Sequence, residues 1–113
     1  MIDFRSDTVT KPSQEMKDFM FKAELGDDVF GDDPTVNELQ RIGAEMFGHE
    51  AALYCSSGTQ TNQIAINVWT NPGDEVICHS DAHIYRYEGG GIALNSGASV
   101  RLLQGNSGRI NPN

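Results

Sequence analysis

The apolar positions in the first half of the chain recur with helical spacing. Four of them stand at i, i+3, i+4 and i+7: Met16, Phe19, Met20 and Ala23. This spacing predicts an amphipathic helix that ends near residue 24. Ser13 is the expected N-cap, because its hydroxyl can accept a hydrogen bond from the N–H groups of the first turn.

A second helix is predicted after the acidic segment 26–34, whose composition is typical of a loop. Thr35 and Glu38 have the spacing of a capping box, so Thr35 is expected to cap this helix and Gly48 to end it. The acidic segment lacks the ligand spacing and closing Glu of an EF-hand. A solvated loop, or one that docks on another subunit, is therefore expected rather than a calcium site.

The second half of the chain alternates between short apolar runs and helical spacing. The runs 51–55, 75–78 and 99–103 are predicted to be strands, the first of them covered on both faces. A helix is predicted from about Gln60, and a loop with a further helix over residues 79–94. The order strand, helix, strand, helix, strand is typical of an α/β protein with a parallel sheet flanked by helices.

Three strands with two crossovers form only half of a doubly wound sheet. The polar segment after the third predicted strand leads to no further predicted element. The chain is therefore expected to be part of a longer protein.

The charge balance argues against several classes of partner. The 113 residues carry 8 Lys and Arg against 16 Asp and Glu, a net charge of −8. Nucleic acids and anionic membranes both attract basic surfaces, so neither is expected to bind. No apolar run approaches the roughly 18 residues of a membrane span, and a signal peptide is not expected.

The two cysteines, Cys55 and Cys78, are too few for a disulfide framework or a zinc site. Both stand in apolar runs, so buried reduced thiols are expected. A reducing, cytoplasmic location fits this pattern.

The turn Ser56-Ser57-Gly58-Thr59 lies between a predicted strand and a predicted helix. Free N–H groups at a helix N-terminus, a glycine and neighbouring hydroxyls suit a phosphate group. No lysine follows Gly58, so the turn is not a Walker motif, and it lacks the three glycines of a dinucleotide fingerprint. On these residues alone the phosphate signal is weak, and a purely structural N-cap turn is the favoured interpretation.

Two histidines, His79 and His83, follow the second predicted strand. Ligands of open α/β sheets bind beyond the carboxyl ends of the strands, so these histidines and the Ser57 turn are expected at one crevice. A metal site with Asp81 is the weaker alternative, because no third strong ligand lies nearby. His79 is expected to have a capping or solvated role.

Four segments stand together in the order and spacing of one family: Arg5-Ser6-Asp7-Thr8-Val9-Thr10 with Pro12, Gly26-Asp27-Asp28-Val29-Phe30-Gly31-Asp32-Asp33-Pro34-Thr35-Val36, Ser57-Gly58-Thr59, and Asp81-Ala82-His83-Ile84-Tyr85 with Glu88 and Gly90. They closely resemble the threonine aldolases, enzymes that use pyridoxal 5'-phosphate (PLP) and are grouped with the β-eliminating lyases. The resemblance covers essentially the whole chain.

The resemblance implies a partial large domain of the aspartate-aminotransferase-like fold type I. Residues 1–12 would be an N-terminal arm and residues 13–113 an incomplete PLP-binding domain. The implied activity of the parent protein is cleavage of threonine or allo-threonine to glycine and acetaldehyde, in a homotetramer built as a dimer of dimers. The alternatives are another β-eliminating lyase or aminotransferase of this fold, or a non-catalytic fragment that binds a phosphate ligand.

The resemblance also assigns roles to individual residues. Ser57, Gly58 and Thr59 correspond to the cradle of the cofactor phosphate. His83 corresponds to the imidazole that stacks on the pyridine ring and assists catalysis. Ser6 resembles a residue near the substrate carboxylate.

Phe30 and Tyr87 resemble elements at the subunit boundary, where the active sites of the family form. Many members carry Tyr at the position of Phe30, so a role that needs a hydroxyl is not expected there.

The chain lacks the covalent half of a PLP site. Its only lysines are Lys11, Lys17 and Lys22, in the arm and the first helix. A PLP enzyme also needs a lysine that binds the cofactor covalently and a carboxylate on the pyridine nitrogen. The resemblance places both beyond residue 113, so the isolated chain is expected to be inactive.

Overall fold

The computed structural model describes residues 2–110 of the chain. These residues form two compact units, which divide between Tyr54 and Cys55. The first unit contains a single 3-10 turn (Asp7–Val9) and the helices α1 (Gln14–Lys22) and α2 (Pro34–Phe47). The second unit contains, in chain order, α3 (Gly58–Trp69), β1 (Glu75–His79), α4 (His83–Arg86), α5 (Gly91–Ser96), β2 (Ser99–Leu103), β3 (Gly105–Asn106) and β4 (Arg109–Ile110).

Helix α1 begins as the sequence predicts. The Ser13 hydroxyl accepts a hydrogen bond from the N–H of Met16 at 3.2 Å. The helix ends at Lys22, slightly earlier than expected. Its apolar side chains are exposed to solvent, and Phe19 is 72% exposed. The apolar face that predicted the helix is therefore not covered by other residues within residues 2–110.

The N-cap of α2 is Asp33, and the prediction of Thr35 as its cap is wrong. One carboxylate oxygen of Asp33 accepts hydrogen bonds from the N–H groups of Thr35 and Val36, each at 2.9 Å. The other oxygen accepts from the N–H of Gly26 at 3.0 Å. The Thr35 hydroxyl instead donates to the carbonyl of Glu24 at 2.7 Å. Asp33 takes the cap position because a proline follows it at the first helical position, where no N–H needs a partner.

These hydrogen bonds also favour the ionised form of the Asp33 carboxyl. The bonds from Val36 and Gly26 lower the pKa of its carboxyl below the ordinary value, against the opposing effect of burial. One ionised carboxylate therefore binds both the loop before α2 and the first turn of α2.

The chain leaves α2 through Gly48, as predicted, with a left-handed φ of 68° that favours glycine. The predicted strand at residues 51–55 is wrong, since this segment pairs with no strand within residues 2–110. The N–H of Tyr54 donates instead to the side-chain oxygen of Gln40 at 2.9 Å. A β-strand forms only where a neighbouring strand pairs with its backbone N–H and carbonyl groups. The described residues provide no such strand for residues 51–55.

Strands β1 and β2 of the second unit pair in parallel, which confirms the predicted α/β class. The register runs from Glu75 opposite Ser99 to His79 opposite Leu103. Helices α4 and α5 lie in the crossover between the two strands. The described strands form this two-stranded parallel sheet and a separate short hairpin.

The core of the second unit is small. Ile92 on α5 is 2% exposed, and Cys78 and Ala98 are also buried. Burial raises the pKa of the Cys78 thiol. Cys55 is only partly buried, so the expectation of two buried cysteines holds for Cys78 alone.

The hairpin of β3 and β4 was not expected from the polar sequence that forms it. Its two turn residues, Ser107 and Gly108, both have positive φ values of 53° and 79°. Turns with two positive φ values match the twist of antiparallel strands. No helix within residues 2–110 is long and apolar enough to cross a membrane.

Candidate active site

The N-terminus of α3 is built by two serines and a glutamine. Ser57 is the N-cap, and its hydroxyl oxygen accepts a hydrogen bond from the N–H of Gln60 at 3.1 Å. The side-chain oxygen of Gln60 accepts in return from the N–H and the hydroxyl of Ser56, at 3.0 and 2.9 Å. The turn is thus fixed from both sides, and α3 begins two residues before the predicted start.

This helix start has unused donors. Within residues 2–110, the N–H groups of Gly58 and Thr59 have no hydrogen-bond partner. A Cβ placed on Gly58 would meet no atom within 4 Å, so the space in front of this residue is open. A cavity of about 740 Å³ adjoins the helix start, and its lining includes Ser57 and Thr59.

Such a helix start fits a phosphate group. Unpaired N–H groups and the positive end of the helix dipole both favour an anion. Within residues 2–110, the Ser57 hydroxyl accepts one bond, from Gln60, and keeps its own proton available for donation. The capping role and the phosphate role of Ser57 are therefore compatible.

His83 is the first residue of α4, and its side chain is 62% exposed. Its Nδ1 lies 2.9 Å from Oε1 of Glu88. The ring of Tyr87 lies beside it, with the ring centroids 5.4 Å apart and the planes tilted by 46°. One nitrogen of the imidazole is held in this way, while much of the ring remains accessible.

Glu88 belongs to the motif that resembles the family, but sequence reasoning assigned it no role. Its side chain is completely buried. Besides His83, it accepts hydrogen bonds from the amide groups of Asn62 at 2.8 Å and Gln63 at 2.5 Å, both on α3. Its partners on α3 lie 26 and 25 positions away in the chain, so no local pattern in the sequence indicates these bonds. Glu88 connects the first turns of α3 to His83.

The hydrogen bonds to Glu88 favour the ionised form of its carboxyl. Burial by itself raises the pKa of this carboxyl, but the bonds from Asn62, Gln63 and His83 outweigh burial, and the pKa lies below its ordinary value. The carboxylate is therefore ionised at neutral pH. An ionised carboxylate can only accept, so Nδ1 of His83 is the donor.

His79 has a different environment from His83. It is 8% exposed, and its Nδ1 accepts a hydrogen bond from the N–H of Asp81 at 3.0 Å. This bond matches the expected capping role, whereas a solvated role is wrong. The Asp81 carboxylate pairs with Arg86 at 3.1 Å. Across residues 2–110, no three His, Cys, Asp or Glu side chains are grouped as metal ligands.

Three further residues were predicted to belong to the site. Ser6 belongs to the first unit, where its hydroxyl oxygen accepts from the N–H of Thr8 at 3.2 Å. Phe30, also in the first unit, is 79% exposed. Tyr87 of the second unit is 69% exposed. The roles assigned to these three residues stay predictions.

Comparison with known proteins agrees with the resemblance described above. The profile of the beta-eliminating lyase family matches residues 3–113. The chain belongs to the beta-eliminating lyase family. Among its relatives in this comparison, a low specificity L-threonine aldolase of Escherichia coli K12 is 51% identical over 94 residues, which cover 83% of this chain and 28% of the relative.

Two eukaryotic relatives give the same picture. The low-specificity L-threonine aldolase 1 of Arabidopsis thaliana is 46% identical over 91% of this chain and 29% of its own length. The low specificity L-threonine aldolase of Saccharomyces cerevisiae is 42% identical over 87% of this chain and 26% of its own length. The chain thus spans between a quarter and a third of the length of these curated relatives.

Proposed function

We propose that this beta-eliminating lyase chain is the phosphate-binding and histidine-bearing part of a PLP-dependent threonine aldolase. The observation that carries the proposal is the joint placement of two features in one compact unit. The open N-terminus of α3 offers donors for a phosphate, and the exposed ring of His83 is tied to the same helix through Glu88. The names of the relatives support L-threonine as a substrate. Allo-threonine is proposed as a second substrate.

The residues at the start of α3 would hold the cofactor. The N–H groups of Gly58 and Thr59 would donate to its phosphate, and the hydroxyl of Ser57 would add a third donor. When bound, PLP supplies an electron sink that stabilises negative charge on the α-carbon of an amino acid. The finer fold assignment, a partial fold type I large domain, belongs to this proposal.

His83 would act at the other end of the cofactor. Its ring would lie against the pyridine ring, and its Nε2, which has a free lone pair when Nδ1 carries the proton, would take the proton of the substrate β-hydroxyl directly or through a water. Ser6 would lie near the substrate carboxylate.

The remaining proposals concern assembly and location. Phe30 and Tyr87 would lie at the subunit boundary of a homotetramer, where their exposed rings would be covered. The substrate would be a small amino acid, and the protein would work in the cytoplasm, which suits the reduced thiol of Cys78.

The direct test is an assay of the full-length protein loaded with PLP. We expect glycine and acetaldehyde in equal amounts from L-threonine or L-allo-threonine, measured by coupled reduction of the acetaldehyde. Cofactor retention without acetaldehyde, combined with transamination or β-elimination of other amino acids, would contradict the aldolase assignment and favour another lyase or aminotransferase of the fold.

A further inference from the structure

We propose that Glu88 is a positioning residue that sets the tautomer and orientation of His83. This inference rests on the proposed function, because it gives His83 its place in the reaction. The observation is a buried carboxylate with one imidazole and two amide groups bonded to it, at a position to which the family resemblance assigned no role.

The carboxylate of Glu88 has a fixed orientation. Oε1 accepts from Asn62 and from His83, while Oε2 accepts from Gln63. Rotation of the carboxylate would break bonds on both oxygens at once. The free energy of a buried charge depends on keeping such partners, so the orientation is strongly favoured.

Gly91 makes room for this arrangement. A Cβ at this position would overlap the side-chain amide of Gln63, at 2.5 Å from its Cδ and Oε1. The glycine therefore leaves the space through which Gln63 reaches Glu88. Its own N–H donates to the backbone carbonyl of Glu88 at 2.9 Å, which anchors the residue at the start of α5.

Other charged groups around His83 do not compete for its Nδ1. Asp81 and Arg86 pair with each other at 3.1 Å. Helix α3 contributes uncharged amides, and helix α5 carries no charged residue. Tyr87 contacts His83 through its ring. Within residues 2–110, Glu88 is the carboxylate that bonds to the His83 ring.

The consequence is a defined tautomer. An ionised Glu88 requires the proton of a neutral His83 to be on Nδ1, which leaves the Nε2 lone pair free on the exposed side of the ring. With the proton on Nε2, the ring could not act as a base through that nitrogen. Orientation of an imidazole by a buried carboxylate is a general means of preparing a histidine for proton transfer.

The test is nitrogen NMR of the full-length, cofactor-free protein labelled with ¹⁵N-histidine, at a pH where the ring is neutral. The signals of His83 are assigned by their loss in His83→Asn. We expect the wild-type ring to carry its proton on Nδ1. In Glu88→Gln, the new amide group can donate to Nδ1, so the proton is expected to move to Nε2 in a large fraction of molecules.

Two matched measurements separate positioning from simple stabilisation. Asn62→Ala removes one partner of Glu88 but keeps the bond to His83, so the Nδ1 proton is expected to stay. The signals of His79, which has no bond to Glu88, are expected to be unchanged in all variants.

In the PLP-loaded protein, Glu88→Gln is expected to lower kcat by at least about tenfold, with KM changed by less than about threefold.

The NMR result needs neither cofactor nor substrate, so it is independent of the aldolase assay. A wild-type His83 protonated on Nε2, or an unchanged tautomer in Glu88→Gln, would overturn the inference even if the enzyme is an aldolase. Since the wild-type measurement alone can overturn it, the test holds even where Glu88→Gln fails to fold. If the protein makes no acetaldehyde, the proposed function fails, and with it the kinetic role of Glu88.

Discussion

The three histidines of this chain differ in how much of each ring can reach a ligand. His83 keeps 62% of its side chain exposed while one nitrogen is held by Glu88. His79 is buried at the end of β1, and His49 is exposed on the first unit. Only His83 combines access with a fixed orientation. We regard this combination as the requirement for a ring that must both stack and exchange a proton.

We expect His83→Asn to lower turnover of the full-length protein by at least about tenfold, because both the flat ring and the basic nitrogen are lost. General acid–base catalysis typically contributes about 100- to 10,000-fold. The N-terminus of α3 is unchanged in this variant, so PLP should still bind. Acetaldehyde release and bound cofactor are measured on the same samples.

His49→Asn is the matched control for this prediction, since it is the same substitution at an exposed position of the first unit. Its turnover should equal that of the wild type. Similar small effects in both variants would mean that His83 is a packing residue without a part in the reaction.

Single residues show the limit of sequence reasoning. Ser13, Ser57 and Gly48 have the predicted capping roles, because each depends only on residues within one turn. Glu88 could not be assigned in this way. Its role depends on Asn62 and Gln63, which are 26 and 25 positions away in the chain.

Helix α3 is the element on which cofactor binding depends in this proposal. We expect Gly58→Val to reduce bound PLP by at least tenfold, because the branched side chain would fill the open space where a phosphate must approach the N–H groups. The side chain would meet no protein atom at its Cβ, so the fold should survive. Absorbance of bound PLP after dialysis and circular dichroism measure the two effects.

Gly58→Ala is the graded control for this prediction. A single methyl group fills less of the open space, so its loss of PLP should be smaller than that of Gly58→Val. Unchanged cofactor content in the valine variant would show that the phosphate does not bind at the start of α3.

Among the elements, the helices whose formation depends on residues close together in the chain were predicted best. The apolar spacing around Phe19 and the terminal glycine of α2 placed the first two helices within a few residues. The strand expected at residues 51–55 failed because its partner lies nowhere in the described chain. The hairpin at β3 and β4 was missed because its turn, Ser107-Gly108, is a weaker signal than Asn-Gly or Asp-Gly.

At the scale of the whole molecule, large apolar side chains stay exposed in both units. Phe19 and Phe21 of α1 are 72% and 83% exposed, and Trp69 and Leu94 of the second unit are 86% and 82% exposed. Scattered exposed apolar residues are normal on a protein surface, but several on one short helix are not. This exposure agrees with a chain that spans a quarter to a third of its relatives.

We expect residues 1–113 alone to release no acetaldehyde from threonine beyond the amount formed by free PLP. The reason is the position of the lysines, all of which lie at or before residue 22. The measurement is acetaldehyde release by the purified chain with added PLP, compared with the full-length protein at equal concentration. Robust turnover by the short chain would mean that one of these three lysines can bind the cofactor.

The two-stranded parallel sheet has a further consequence for amide hydrogen exchange. In a parallel ladder, successive N–H groups of a strand point to opposite sides, and β1 and β2 satisfy only the groups that face each other. The amides of each strand should therefore fall into two alternating classes, one slow and one fast to exchange with deuterium. The fast-exchanging amides are those at the open edges of the sheet, where another strand could pair. Slower exchange of these amides would therefore report the pairing of a further strand.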